Sequence, residues 1–358
     1  MSFALNIPIN SVSFGQVSTT WLRKLYERKL APPVFPIGGQ VDLSTHQIDA
    51  GFHSWLQEGI NIGYSSHARS NPVIKLWHLN GSLESFSERQ ILLSFYELDS
   101  PTKQEINVAK NNVLAFSSKY SCEVFESCGV KTHYVPLGFD SYNFKRVDKK
   151  HFSDDRIVFN LVGKLEKRKR HEKTIRTWIK KFANNPKYFL QCAIYNPFLS
   201  EEDNGTLVNR ILDGKRYFNV SFLGFMSKNS VYNDFLNSGD IIVGSSGGEG
   251  WGLPEFHSTA IGKHAIILNA HGYKGWANER NAVLLEPSCK VDCYDGLFFK
   301  KDQQFNQGQL FDFNEEALAE AFGSAIDRVE RSRMNLEGLK LQEDFTIDKS
   351  LDALLGLL

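Results

Sequence analysis

The stretch Ser245-Ser-Gly-Gly-Glu-Gly-Trp-Gly-Leu-Pro-Glu255 is the most informative segment of this chain. The apolar residues 241–243 precede it and predict a buried strand, and its Leu-Pro step can begin a helix. A strand, a Gly-rich loop and a helix in this order place backbone amides and a helix N-terminus around an anion. Glu249 in the middle repels phosphate but can accept hydrogen bonds from hydroxyl groups. The segment therefore predicts a ligand that carries both a phosphate and a polyol, such as a nucleotide sugar.

Short apolar runs alternate with helical patterns on both sides of this segment. Strands are predicted at 3–9, 73–77, 91–96, 113–116, 133–135, 157–162, 188–194, 220–223, 241–243 and 265–268. Helices are predicted at 20–28, after a capping Ser44, and at 119–127, 174–182, 207–212, 230–237, 254–261, 315–331 and 351–358. This alternation indicates α/β architecture, with two doubly wound Rossmann-like domains facing a central cleft.

The polar stretch 145–155 divides the two alternating regions. We expect an N-terminal domain at 1–148, a C-terminal domain at 149–340, and a terminal helix at 341–358 that packs back on the N-terminal domain. Residues 294–309, rich in Gly, Asn and Gln, are predicted to form an irregular insertion, and residues 10–18 a loop that carries Gly15.

Bulk composition excludes some classes of protein. Lys plus Arg and Asp plus Glu both number 41 in the 358 residues, so no global field favours nucleic acid or a membrane surface. The 5 cysteines are scattered, without histidine at zinc spacing, and are expected to be reduced structural thiols. We find no signal-peptide pattern at the N-terminus and no apolar run near the roughly 18 residues that span a bilayer. A cytoplasmic protein without an integral membrane segment is therefore expected.

A second signal follows the first strand of the C-terminal half. Of the ten residues 164–173, Lys164, Lys167, Arg168, Lys169, Arg170 and Lys173 are basic. Cations at the C-terminal end of a strand would lie in the predicted cleft, where they could bind a diphosphate. The alternatives are a solvated basic loop and a contact with a nucleic-acid backbone, and no DNA-binding motif accompanies the run.

Val162-Gly-Lys-Leu-x3-Lys169 together with Glu249-Gly-Trp-Gly-Leu-Pro254 resembles the donor-site signature of family-4 glycosyltransferases, which have the GT-B fold. Phe95-Tyr-Glu-Leu-Asp99 and Val135-Pro-Leu-Gly-Phe-Asp140 are similar to further segments of that family, so the resemblance extends over nearly the whole chain. It implies a retaining enzyme that transfers a sugar from a UDP- or GDP-sugar to a hydroxyl acceptor, with no metal and no other cofactor. It also implies that the leaving phosphate takes the acceptor's proton.

The resemblance assigns roles to individual residues. It implies that Glu249 binds the sugar hydroxyls and that Lys164, Lys169 and Arg168 hold the diphosphate, with Lys164 standing where the family usually has arginine. The implied catalytic residues are Glu249, Lys169 and His78. The implied donor-binding residues are Gly15, Gly163, Lys164, Arg168, Lys169, Gly248, Glu249, Gly250, Trp251, Gly252, Leu253 and His257. Glu97 is a further candidate in the cleft, and the indoles of Trp251 and Trp276 are expected to pack rather than to stack on a ligand.

His257 is a departure from the family pattern. The family has a second glutamate, a ribose ligand, eight residues after the first, and this chain has His257 there. An imidazole can still bond a ribose hydroxyl, whereas Glu255, two residues earlier, would face another direction on a helix.

The acceptor is left open by the sequence. The chain is similar to short glycosyltransferases of tailed bacteriophages, which makes a hydroxymethylated base in phage DNA one candidate acceptor and the host cytoplasm its location. The alternatives are a saccharide or lipid acceptor, or a catalytically degenerate module that binds a nucleotide sugar or a glycan.

Overall fold

The structure, a computed structural model, describes residues 2–358. The first half forms one parallel sheet of six strands in the spatial order β2-β1-β3-β4-β5-β6. In chain order its strands are β1 (Ala4–Ile9), β2 (Val34–Val41), β3 (Val73–Leu76), β4 (Gln90–Ser94), β5 (Val113–Phe116) and β6 (Thr132–Tyr134). Strands β1, β3 and β4 are fully buried, as strands covered on both faces must be.

Four helices connect these strands: α1 (Ser13–Glu27), α2 (Ala50–Ser66), α3 (Lys103–Lys110) and α4 (Lys119–Glu126). Local sequence fixes their starts. Thr102 and Glu105 form a capping box on α3, and Ser118 accepts a hydrogen bond from the Ser121 amide at the start of α4.

The second half repeats the plan, with strand order β12-β11-β10-β7-β8-β9, all parallel. Its strands are β7 (Ile157–Gly163), β8 (Tyr188–Ile194), β9 (Val220–Phe222), β10 (Ile241–Gly244), β11 (His264–Leu268) and β12 (Val283–Leu285). Its helices are α5 (His171–Phe182), α6 (Glu201–Ile211), α7 (Asn229–Ser238), α8 (Leu253–Ala260) and α9 (Glu315–Arg331). The main hydrophobic core runs continuously through both halves.

A hairpin follows β12 and reaches the first half of the chain. It consists of β13 (Cys289–Asp292), β14 (Gln309–Asp312) and the loop between them, and we call residues 289–312 the strap. Cys293, Phe299 and Leu310 of the strap are buried in a cluster with side chains of the N-terminal sheet, among them Leu92 and Phe116. Asp99 also receives hydrogen bonds from the Gln309 amide and, at 2.8 Å, from Lys290.

The chain ends in three short helices, α10 (Leu336–Leu339), α11 (Leu341–Asp344) and α12 (Ile347–Leu355). Helix α12 packs against α1, where Asp348 forms ion pairs with Lys24 and Arg28, and Asp352 with Arg28. The exact domain boundaries stay a prediction, and Met1 of the predicted N-terminal domain lies outside the described residues. Within residues 2–358 we find no helix with the length and apolar character needed to cross a bilayer.

The sequence-based element predictions were correct for most elements, and 113–116, 188–194 and 315–331 match to the residue. Others were wrong. Residues 13–18 belong to α1 rather than to a loop, α2 begins at Ala50 under an Asp49 cap rather than after Ser44, and α6 begins at Glu201 rather than at residue 207. The elements that were missed are β2, β12, β13, β14, α3, α10 and α11. The predicted irregular insertion is the long turn of the strap.

Candidate active site

A cleft with a volume of about 590 Å³ lies between the carboxyl ends of the two parallel sheets. Loops after β1, β3 and β4 form one wall, and loops after β7, β8, β9 and β10 form the other. Most of the predicted site residues line it: His78, Gly163, Lys164, Arg168, Lys169, Glu249, Gly250, Trp251, Gly252, Leu253 and His257. Gly15 and Gly248 do not. The fold therefore brings together side chains that lie up to 179 positions apart, from His78 to His257.

A buried ion network forms the floor of this cleft. Lys169 donates a hydrogen bond of 2.5 Å to Oε1 of Glu249, and Nη1 of Arg168 donates to the same oxygen at 3.0 Å. Arg168 also binds Glu166 at 2.7 Å, Glu97 at 3.0 Å and the Gly248 carbonyl. The guanidinium thus joins carboxylates of both halves of the chain.

The short helical turn Lys167–Lys169 after β7 sets the direction of the Arg168 and Lys169 side chains. It ends at Arg170, whose φ of 57° lies in the left-handed region, and α5 begins immediately afterwards. The turn buries Arg168 and Lys169 while Lys167 points outward to carbonyls of the strap. A solvated loop, one alternative for this basic run, does not describe the two buried cations.

The network sets the ionisation of its carboxylates. Burial alone would raise the pKa of Glu249, but Lys169 and Arg168 outweigh it and lower that pKa to about 2. Burial raises the pKa of Glu97 to about 7, opposed by Arg168 and assisted by Glu249 and Glu166. Glu249 is therefore ionised at neutral pH, whereas Glu97 titrates near neutrality.

Glu255 lies behind the floor of the cleft and does not line it. Its side chain is buried, and burial raises the pKa of this carboxyl to about 7 against the attraction of Lys169. The expectation that it faces away from the ligand agrees with this position.

His78 presents its imidazole to the cleft directly after β3. The ring packs on Phe14 with centroids 4.6 Å apart and lies 5.3 Å from the Trp77 ring. Part of the surface of the imidazole is open to the cleft. The surrounding protein removes water from the ring, and this desolvation, together with the positive charges of Lys164 and Arg168, lowers the pKa of His78 to about 4. The ring is neutral at pH 7 and is available to a ligand hydroxyl.

Lys164 differs from the other cations of the run because its side chain is 37% exposed. Its ammonium lies 3.5 Å from Glu166 and 4.5 Å from the ring centroid of Phe298 in the strap. Since its own ammonium is partly exposed and its contact with Glu166 is long, Lys164 can move toward an anionic ligand at little cost.

The glycines of segment 247–250 allow close packing between the two halves of the chain. The sequence predicted only that backbone amides of this segment would surround an anion. A Cβ at Gly250 would lie 2.6 Å from Cβ of Phe95, and one at Gly248 would lie 2.5 Å from the Glu97 carbonyl oxygen. A Cβ at Gly247 would collide with the Phe311 carbonyl of the strap. These glycines let the donor-side loop approach the N-terminal half. Gly252, with φ 82°, precedes α8, whose Pro254 stands in its first turn.

The prediction for Gly15 was wrong in its structural basis. Gly15 lies inside α1, and a Cβ there would collide with Asn10, the first residue of the β1–α1 turn. Its small size lets α1 follow β1 after a turn of only three residues, so Gly15 supports the cleft wall without lining it.

His257 is enclosed within the protein. Its Nε2 accepts a hydrogen bond of 3.3 Å from the Asp140 amide, and the Leu253 carbonyl lies within bonding reach of the ring. Phe144 stacks on the imidazole at 4.3 Å, and burial lowers the pKa of His257 to about 3. Both nitrogens have protein partners, which argues against the expected ribose contact.

Trp251 and Trp276 are both buried. Trp251 packs edge-on against Phe256 and Phe345, and the indole of Trp276 donates a hydrogen bond to the Trp251 carbonyl.

Two residues of the site were not predicted from the sequence. One is Glu166, although it is a carboxylate inside the basic run. The other is Phe198, which is 61% exposed at the cleft beside Lys164.

No protein-family model and no curated protein sequence matches this chain. Solved structures nevertheless match it over its length. A sucrose-phosphate synthase from Thermosynechococcus elongatus superposes with a TM-score of 0.70 at 12% identity, covering 100% of this chain and 98% of that one. A glycosyltransferase from Rickettsia africae gives 0.69 at 11% identity, with 99% and 97% coverage. Anabaena Alr3699/HepE, solved in complex with UDP-glucose, gives 0.65 at 13% identity, with 100% and 99% coverage. These matches confirm the predicted GT-B fold.

Proposed function

We propose that the protein is a retaining glycosyltransferase that moves a sugar from a nucleotide-diphosphate sugar to a hydroxyl acceptor. The observation that carries this proposal is the ionised Glu249, held by Lys169 and Arg168 on the floor of a cleft between two Rossmann-like sheets. A fixed, acceptor-only carboxylate suits sugar hydroxyls, and adjacent cations suit a diphosphate. UDP is the favoured nucleotide because a structure of the same fold holds UDP-glucose.

The reaction needs charge stabilisation more than a nucleophile. The bond between the sugar's anomeric carbon and the diphosphate oxygen breaks, and its electron pair stays on the diphosphate. The acceptor oxygen bonds the same carbon, and its proton ends on the leaving diphosphate. Lys164, Lys169 and Arg168 would stabilise the charge that develops on the leaving group. Glu249 would orient the sugar, and His78 would contact it from the opposite wall.

The direct test is a thermal-shift panel of UDP- and GDP-sugars, followed by nucleotide release for each sugar that stabilises the protein. Lys169→Ala should lower the rate of nucleotide release by about 10²–10³-fold, because it removes a cation from the leaving group and frees Glu249 from its fixed position. Lys173→Ala is the matched control, since Lys173 belongs to the same basic run but binds Asp312 and does not line the cleft.

Two results would count against the proposal. Unchanged nucleotide release by Lys169→Ala, with circular dichroism showing a folded protein, would remove Lys169 from the reaction. Stabilisation by a nucleotide sugar without any transfer or hydrolysis would favour the alternative of a degenerate binding module.

The acceptor is a hydroxyl compound whose class needs its own test. A hydroxymethylated base in DNA predicts binding to modified duplex that weakens steeply with salt, because phosphate contacts release counterions. A saccharide or lipid acceptor predicts transfer without DNA affinity. The zero formal charge of the chain favours a saccharide or lipid acceptor over DNA.

A further inference from the structure

Glu97 and Glu166 bind the same guanidinium but face different surroundings. Glu97 follows β4 on the N-terminal wall, and its Oε1 lies 3.0 Å from Nη1 of Arg168. Glu166 lies 2.7 Å from Nη2 of the same side chain. The Glu97 side chain is 26% exposed and lines the cleft, whereas the Glu166 side chain is 3% exposed and does not. Of these two carboxylates, Glu97 can therefore contact a substrate.

We propose that Glu97 is the catalytic residue that takes the proton of the attacking acceptor hydroxyl and passes it to the leaving diphosphate. This inference rests on the proposed glycosyl transfer and names a chemical role within it.

The position of Glu97 beside Arg168 supports this role. In a transfer with retention, the acceptor hydroxyl approaches the anomeric carbon on the side that the diphosphate leaves. Arg168 lies on the donor side of the cleft, next to the cations that would hold the diphosphate, and Glu97 is its partner across the cleft. A hydroxyl that approaches beside the leaving group thus meets the Glu97 carboxylate. Within residues 2–358 the second oxygen of Glu97 makes no hydrogen bond or ion pair, which leaves it for the hydroxyl.

The proton transfer balances without a further reactant. The acceptor oxygen bonds the anomeric carbon as its proton moves to Glu97, and the bond to the diphosphate breaks with its electron pair on the leaving oxygen. Glu97 then gives the proton to that oxygen and returns to its ionised form.

The ionisation of Glu97 suits a base at neutral pH. Burial raises its pKa to about 7; Arg168 and Lys169 oppose this rise, and Glu249 and Glu166 add to it. A base must be deprotonated before reaction, so the rate should rise with pH through about 7 and level off above it. His78, which also faces the cleft from this wall, has a pKa lowered to about 4 and is a weaker base. Asp140 lines the cleft as well, but its carboxylate accepts hydrogen bonds from Tyr142 and Asn143.

The test compares Glu97→Gln with Glu166→Gln in the full chain. The assay is nucleotide release, against pH, from the nucleotide sugar that gives the largest thermal shift, with water or an added hydroxyl compound as acceptor. Glu97→Gln should lower kcat by about 10²–10⁴-fold, leave KM for the donor nearly unchanged and abolish the rise near pH 7. Glu166→Gln should keep that rise. Glu97→Asp, which keeps a carboxylate, should recover part of the rate and the rise.

Equal losses in Glu97→Gln and Glu166→Gln, with the pH rise intact in both, would show that Glu97 acts by positioning Arg168 and would overturn the proposal. A wild-type rate that does not change between pH 6 and 8 would overturn it as well. An inactive wild-type protein would instead count against the proposed function, which separates the two failures. Thermal shift by the donor checks that each variant is folded and binds.

Discussion

The imidazole of His257 lies between the Phe144 ring and the Asp140 amide, which donates to its Nε2. A buried amide that loses its acceptor costs free energy, because no water replaces the lost partner. The side chain at this position therefore joins the segment after β6 to helix α8, and these contacts argue against a role as a ribose ligand.

We predict that His257→Ala lowers the free energy of unfolding by about 1–3 kcal/mol, since the Asp140 amide is left without an acceptor. KM for the nucleotide sugar should stay near the wild-type value. His257→Gln, whose side-chain oxygen can accept the same hydrogen bond, should recover part of the stability. Urea unfolding and donor kinetics measure the two effects. A large rise in KM for both variants would restore the ribose role.

Spacing along the chain was enough to predict some site residues. Lys164 and Lys169 follow a strand end, and Glu249 follows another, so parallel-sheet geometry alone brings them to one cleft. The close approach of Gly248 and Gly250 to the N-terminal half could not be predicted in this way. Their neighbours Glu97 and Phe95 lie about 150 positions away, and close backbone approach leaves no local pattern.

At the scale of elements, the two strands of the strap could not be predicted from the sequence. Each of its strands has four residues, and the long turn between them lacks the two-residue hairpin signal. Its apolar residues Phe299 and Leu310 are buried among side chains of the N-terminal sheet, a contact that local periodicity does not encode. The longer elements β8 and α9 were predicted because their patterns are complete within the segment.

We predict that Phe299→Ala destabilises the N-terminal sheet, although Phe299 follows β12 in the chain. Removing a buried phenylalanine costs about 3–5 kcal/mol through lost burial and a cavity. Hydrogen exchange should therefore speed up in β5 (Val113–Phe116), which shares this cluster through Leu114 and Phe116. Leu297→Ala is the control, because Leu297 is 43% exposed in the same turn. Equal small effects of both substitutions would mean that the strap does not complete this core.

At the scale of the whole molecule, contacts on two sides connect the halves of the chain. The strap joins the second half to the first through Asp99 and the shared cluster, and α12 returns to α1 through Asp348 and Arg28. These contacts favour unfolding of the two halves together, and a single free energy of unfolding describes the pH behaviour where probes of both halves report the same transition.

We predict that the protein loses stability as pH falls from 7 to about 5. Burial lowers the pKa values of His46 and His271 to about 4 and those of His171 and His257 to about 3. The unfolded chain protonates these rings below about 6.5 and the folded chain does not, so each ring costs about 1.4 kcal/mol per pH unit there.

Glu97 and Glu255 act in the opposite direction over the same range. Their pKa values are raised to about 7 in the folded protein, which therefore binds their protons before the unfolded chain does. Four buried histidines outweigh two glutamates, and His78, which is more exposed, adds a smaller effect in the same direction. The free energy of unfolding should therefore fall by at least about 2–3 kcal/mol per pH unit between 6.5 and 5. Urea unfolding at several pH values measures this slope. His257→Gln should reduce it by about 1.4 kcal/mol per pH unit, because it removes one buried ring. A free energy of unfolding that stays constant or rises on acidification would mean that the buried rings accept protons in the folded protein.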